Sequence, residues 1–179
     1  MDTITDDMVK VNLVAIAAVL IVLILTMRQI KTPIVLVLAI ETAIWINLSI
    51  PYLQNTPLFY IAYLIISSVQ LGATVDYAIL FSDRYRECRR EMDKKESIIA
   101  TISQTSVSIL TSGITMIAVG FLLGIISTHG LLSQLGYLLG KGTICSVLTV
   151  FFVLPGLLYL TDRKKTSFSV SYTHLTLPT

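Results

Sequence analysis

The sequence predicts an all-α integral membrane protein, a five-helix transmembrane bundle. Three observations predict it. Of 179 residues, 54% are hydrophobic and 13% charged, with mean hydropathy +0.80, where soluble domains carry about 25% charge. Apolar runs near the bilayer-crossing length of about 20 residues recur along the chain. The charges sit mostly between those runs. The net charge of +2 excludes little by itself. Cys88 and Cys145 are far apart and fit no metal or redox spacing. No nucleophile–base pair, metal-ligand set, cofactor motif or phosphate loop is visible, so neither an enzyme nor a cofactor is expected.

The first span is read over 11–27, with no polar side chain from Leu13 to Leu25. A helix apolar all round faces lipid or a greasy core. Arg28 to Thr32 is a short basic turn. Pro33 then opens the second span, 33–50, at a position where its missing N–H costs nothing. Residues 51–56 form an uncharged link to the third span, 57–81. Residues 82–97 carry six bases and five acids, read as one solvated or interfacial helix. The acids nearly cancel the bases, which argues against a nucleic-acid surface. The fourth span is 98–126. The last apolar stretch, Leu131 to Leu160, is too long for one straight span. A break at Gly140-Lys141-Gly142 is expected, leaving 143–160 as the span. Gly120/Gly124 and Gly136/Gly140 are small-xxx-small pairs, which let helices approach closely.

Lys and Arg set the orientation. Eleven of the thirteen bases fall in the turn after span one, in 82–97 and in the exit 163–165, which share one side of a five-span chain. That side is expected to be cytoplasmic, in a plasma membrane, with the N-terminal end outside. The acidic residues 1–8 do not resemble a signal peptide. Residues 1–10 are therefore expected to end an extracytoplasmic domain of a longer chain. Residues 170–179, VSYTHLTLPT, fit no element and read as a non-native, adapter-derived tail. A disordered native tail is the alternative.

Asp76 is the costly residue. An acid inside an apolar span costs roughly 2.5–3.5 kcal/mol on insertion scales, and function is the default reason for keeping one. At a rise of about 1.5 Å per residue, Glu41, Asp76, Gln104 and Ser108 lie roughly 9–15 Å inside the same membrane edge. Gln104, Ser108, Thr111 and Thr115 follow helical spacing, so this face of span four is expected to meet Asp76. Such a polar layer can pass protons. It can equally bond across helices and only lock the bundle. Tyr77 beside the acid can donate a hydrogen bond to its charged form.

Gly72-Ala73-Thr74-Val75-Asp76-Tyr77-Ala78, followed by Arg84-Tyr85-Arg86-Glu87, resembles the signature of the MMPL transporters of the resistance–nodulation–division (RND) superfamily. Ser103 to Pro155, with SGITMIAVGFL and LGKGTICSVLTVFFVLPGLL, is similar to that family's last two helices. The resemblance implies twelve spans in two halves, with a large external domain after the first helix of each half. It likens this chain to helices eight to twelve. It implies a proton relay of Asp-Tyr pairs, with Asp76 and Tyr77 matching one pair; the depth and spacing above make Glu41, Gln104, Ser108 and Thr111 the supporting polar layer. The expected partners are membrane lipid, protons, a hydrophobic or lipid-like exported substrate and the N-terminal half of the same transporter. A sterol-sensing-type regulatory module and a protein-translocation helper use the same helix core and remain alternatives.

Overall fold

The computed structural model describes residues 2–27, 30–54 and 57–162, so the expected adapter-derived tail lies outside the described residues. The described chain is helical throughout: α1 Asp2–Met27, α2 Lys31–Leu53, α3 Tyr60–Cys88, α4 Lys94–Ile126, α5 Gly130–Leu148, a π-helical turn Thr149–Val153, and α6 Leu154–Thr161. Five of these stretches are long and apolar enough to cross a membrane, the last running unbroken from Gly130 to Thr161. The chain is a multi-pass membrane protein. Lipid tails are as apolar as Leu, so helix association rests on packing and interhelical hydrogen bonds rather than on apolar burial.

Phe81, Leu23, Met27, Leu36, Ile40 and Leu154 fill the centre of the bundle. Outside it, α1 presents Leu13, Val14 and Leu25, as an all-apolar helix in lipid should. α4 and α5 form the closest pair. A side-chain carbon on Gly120 would lie 2.6 Å from the Gly140 nitrogen, and one on Gly136 would lie 2.3 Å from the Gly124 nitrogen. The two small-xxx-small pairs thus meet each other along an antiparallel crossing. Ser133 Oγ donates to the Gly124 carbonyl at 2.7 Å across the same seam.

Two expectations about element limits need correction. Residues 82–97 are not one helix. α3 runs on to Cys88, a turn follows, and Asp93 takes an extended conformation (ψ 162°) before α4 starts. That turn is pinned from α6. Asp162 accepts hydrogen bonds from Arg89 Nε at 2.6 Å and Tyr85 Oη at 3.0 Å. Lys94 donates to the Asp162 carbonyl and lies over the Tyr159 ring, 5.5 Å from its centroid. The Asp162 carboxylate bonded to Arg89 raises the guanidinium above its ordinary value, so Arg89 stays charged.

Nor does the last span break at Gly140–Gly142. An interrupted helix in hydrocarbon would strand backbone N–H and C=O groups. Those glycines instead make room: Gly140 meets Gly120, and a side chain on Gly142 would lie 2.6 Å from Asn47 Nδ2. The irregularity comes later, at Thr149–Val153. Pro155 has no N–H for the carbonyl four residues back, and the Leu154 N–H bonds the Thr149 carbonyl, five residues back.

A buried amide network crosses the middle of the bundle. Asn47 Nδ2 donates to Gln70 Oε1 at 2.8 Å and to the Leu138 carbonyl at 3.2 Å. Gln70 Nε2 donates to the carbonyls of Ala43 and Gly142, each at 3.3 Å. Thr74 and Ser146 share a hydroxyl–hydroxyl bond of 2.6 Å. α2, α3 and α5 are tied together on the inner face of α3. At the far end, Gln134 of α5 holds the α2–α3 link, accepting from the Phe59 N–H at 2.9 Å and donating to the Pro57 carbonyl at 2.7 Å.

Candidate functional site

α3 has two differently occupied faces. Gln70, Thr74, Tyr77 and Phe81 are buried, whereas Gly72, Asp76 and Leu80 are exposed. The inner face is committed to the amide network. The outer face opens onto a cleft of about 550 Å³ between α3 and α4. Val69, Ala73, Asp76, Tyr77 and Leu80 line it from α3, and Ser108, Ile109, Ser112 and Met116 from α4. Asp76 is the only carboxylate in this lining. Tyr77 reaches the cleft with its hydroxyl, which accepts a hydrogen bond from Ser112 Oγ at 2.9 Å.

The expected polar layer is divided. Asp76, Tyr77 and Ser108 share the cleft. Thr111 is exposed but does not line it, and its hydroxyl donates to the Val107 carbonyl at 2.5 Å. Gln104 does not meet Asp76. Its Oε1 accepts from Arg84 Nε at 2.5 Å, and Arg84 also pairs with Glu87. The register of the antiparallel pair explains the divergence: Ser112 meets Tyr77, so Gln104, eight residues earlier on α4, lies roughly 12 Å further along, beside Arg84 and Cys88. Glu41 is not in the cleft either. It lies on α2, which packs against the Gln70 face of α3, and its buried Oε1 has no hydrogen-bond partner among the described residues.

Two features escaped the sequence reading. Ser112 was one of several hydroxyls in span four. Its four-residue spacing from Ser108 and from Met116 was the available signal. Gln70 and Ser146 stood as polar residues within apolar runs, but only their meeting with Asn47 in space makes them a network.

Chemically, the cleft offers a carboxyl that can gain and lose a proton, a phenol hydroxyl beside it, and two serine hydroxyls, on otherwise apolar walls.

The MMPL family profile matches residues 1–174. The chain is 30% identical over 155 residues to the membrane protein SCO0839 of Streptomyces coelicolor, covering 84% of this chain and 22% of that protein. It is 28% identical over 159 residues to the membrane protein ActII-3 of the same organism, covering 86% and 22% respectively. It is 26% identical over 103 residues to the transport protein MmpL12 of Mycobacterium tuberculosis, covering 58% and 9%. The chain thus spans about a fifth of the length of the first two relatives. No solved structure matches. The profile spans nearly the whole chain, and on that ground the chain belongs to the MMPL family.

Proposed function

We propose that this chain is the transmembrane motor portion of a proton-motive-force-driven exporter of hydrophobic or lipid-like substrates, with Asp76 as the group that takes up and releases the proton. One observation carries this reading: Asp76 opens into a cleft walled by Val69, Ala73, Leu80, Ile109 and Met116, between two helices long and apolar enough to cross a membrane. An acid inside an apolar span is kept for function by default, and carrying a proton is one such function. Small changes in access to either side then load or unload it. The membership in a family that includes a protein named for transport supports the same reading.

The cleft face is also too polar for lipid. Asp76 and Ser108 are exposed in it, and Thr111 and Thr115 are exposed on the same helix as Ser108. In this reading the remainder of the longer transporter covers that face and completes the proton path. The charged end, with the α3–α4 turn, lies in the cytoplasm, and the Asp2 end lies outside.

The test is Asp76→Asn in the full-length transporter. Asn keeps the size and much of the hydrogen bonding but cannot carry a proton. Efflux of a hydrophobic fluorescent dye from vesicles under an imposed pH gradient should be abolished at matched protein level. Wild-type efflux by Asp76→Asn would remove the relay role and favour the regulatory alternative.

A further inference from the structure

We infer that Lys141 is a lipid-headgroup site: its ammonium holds the phosphate of an anionic phospholipid whose acyl chain lies along the outer stripe of α5. The site is in the leaflet at the Tyr60 end of the bundle. It stands apart from the proton-carrying reading of Asp76 and shares no residue with the cleft.

Lys141 is the one charged residue between Gly130 and Thr161, a stretch long and apolar enough to cross a membrane. A cation within a span is costly, and such residues usually pair with an acid. Lys141 forms no hydrogen bond or ion pair among the described residues. Its place on the helix is the reason. Leu138 and Gly142 face the amide network, through their carbonyls to Asn47 and Gln70. Gly136 and Gly140 face α4. Tyr137, Lys141, Ile144 and Leu148, spaced four, three and four apart, form the face that remains. Tyr137, Ile144 and Leu148 are exposed, and Lys141 is partly so.

Depth names the partner. Gln134 bonds the α2–α3 link at Pro57 and Phe59, so it marks the level of that link. Exposed Tyr52, Phe59 and Tyr60 at this level form an aromatic belt of the kind that sits at a membrane–water interface. α3, from Tyr60 to Cys88, is about 42 Å long against a hydrocarbon core of about 30 Å, so each end stands roughly 6 Å outside the core. Lys141 follows Gln134 by about 10 Å along α5, which puts its backbone roughly 4 Å inside the core edge. Its Cβ leans back toward Gly130. The four-carbon stem can then carry the ammonium out to the headgroup layer. The anion that a membrane supplies at that level is lipid phosphate, which a Lys ammonium binds as a point charge. Below it, Ile144, Leu148 and exposed Phe152 continue the stripe for about 16 Å toward the other leaflet, an apolar bed for one acyl chain.

The probes are phosphatidylglycerol and phosphatidylcholine carrying the same photoreactive acyl chain, each mixed into phosphatidylcholine nanodiscs that hold the full-length transporter. Crosslinks are mapped by mass spectrometry. Preference is the ratio of the two yields on residues 137–152, with α1 as internal reference. Wild type should prefer phosphatidylglycerol there, and added salt should erode the preference. Lys141→Gln should lower it about fivefold, the worth of one cation at an anionic lipid surface, and leave α1 unchanged. Lys141→Arg keeps the charge and should retain the preference. Both variants should unfold at the wild-type midpoint, since the bundle makes no bond to Lys141. Equal yields of the two lipids on wild type, a preference indifferent to salt, an unchanged preference in Lys141→Gln, or a loss shared equally by α1 would each overturn the site. A lowered unfolding midpoint in Lys141→Gln, with neither lipid captured by wild type, would also overturn it and assign Lys141 to a carboxylate elsewhere in the longer chain.

Discussion

Gly136→Ala should loosen the bundle more than any other single-methyl addition on the α4–α5 seam. The new carbon would lie 2.3 Å from the Gly124 nitrogen, 2.7 Å from the Gly120 carbonyl oxygen and 2.8 Å from the Gly124 Cα. All three are backbone atoms, so no side chain can rotate away. Restoring ordinary contact requires the helices to separate by about 1 Å, a gap that forfeits up to half of each dispersion contact along the seam. The separation also strains the Ser133 bond to the Gly124 carbonyl and the edge-to-face pair of Phe121 and Tyr137, whose centroids are 6.2 Å apart. Overpacking of this kind costs about 1–3 kcal/mol. The better helix propensity of Ala offsets about 1 kcal/mol of that. A net loss of up to roughly 2 kcal/mol follows. Gly156→Ala is the control, because nothing lies within 4 Å of the added carbon. It should be neutral or stabilising by up to about 1 kcal/mol. The assay is the midpoint of unfolding in detergent, followed by circular dichroism. Equal midpoints for Gly136→Ala and Gly156→Ala would refute the close backbone approach.

Three further outcomes are expected. Asn47→Leu strands Gln70 Oε1 in the buried network and should cost about 1–2 kcal/mol by the same unfolding assay, whereas Asn47→Asp should not restore it, because a carboxylate cannot donate to Gln70. Arg89→Ala should free the α3–α4 turn from α6, seen as faster hydrogen exchange over 89–93, and Arg89→Lys should restore little, since its compact ammonium lacks the guanidinium's fixed fork. Cysteines placed at Gln54 and at Lys95 report orientation: an impermeant thiol reagent added to intact cells should label the first and spare the second, and the reverse pattern would invert the proposed topology.

Much of this architecture could be read from the chain. Five apolar stretches require five helices, because only hydrogen-bonded backbone survives in hydrocarbon. The glycine pairs of α4 and α5 marked the seam where they meet. Depth along the helix brought Asp76, Tyr77 and Ser108 to one level, and they line one cleft. Depth counted along each helix missed the register of the α3–α4 pair, however: Ser112 meets Tyr77, so Gln104 lies about two turns away beside Arg84. Depth also says nothing of direction around the helix, and Glu41 lies on a helix behind α3. Local signals also misled. Gly140 and Gly142 look like helix breakers, yet tertiary packing uses them as spaces for Gly120, Asn47 and Gln70. The run 82–97 has helical charge spacing throughout, but Asp162, far along the chain, holds Arg89 in a turn. A contact that distant leaves no local trace.

The central claim is that Asp76 changes protonation within the membrane. Infrared difference spectra between acidic and alkaline buffer, recorded on membranes holding the full-length transporter, address it most directly. Wild type should show the C=O stretch of a protonated carboxyl that disappears as pH rises. That band should be absent from Asp76→Asn and retained in Glu41→Gln. A band that persists unchanged in Asp76→Asn would contradict the account.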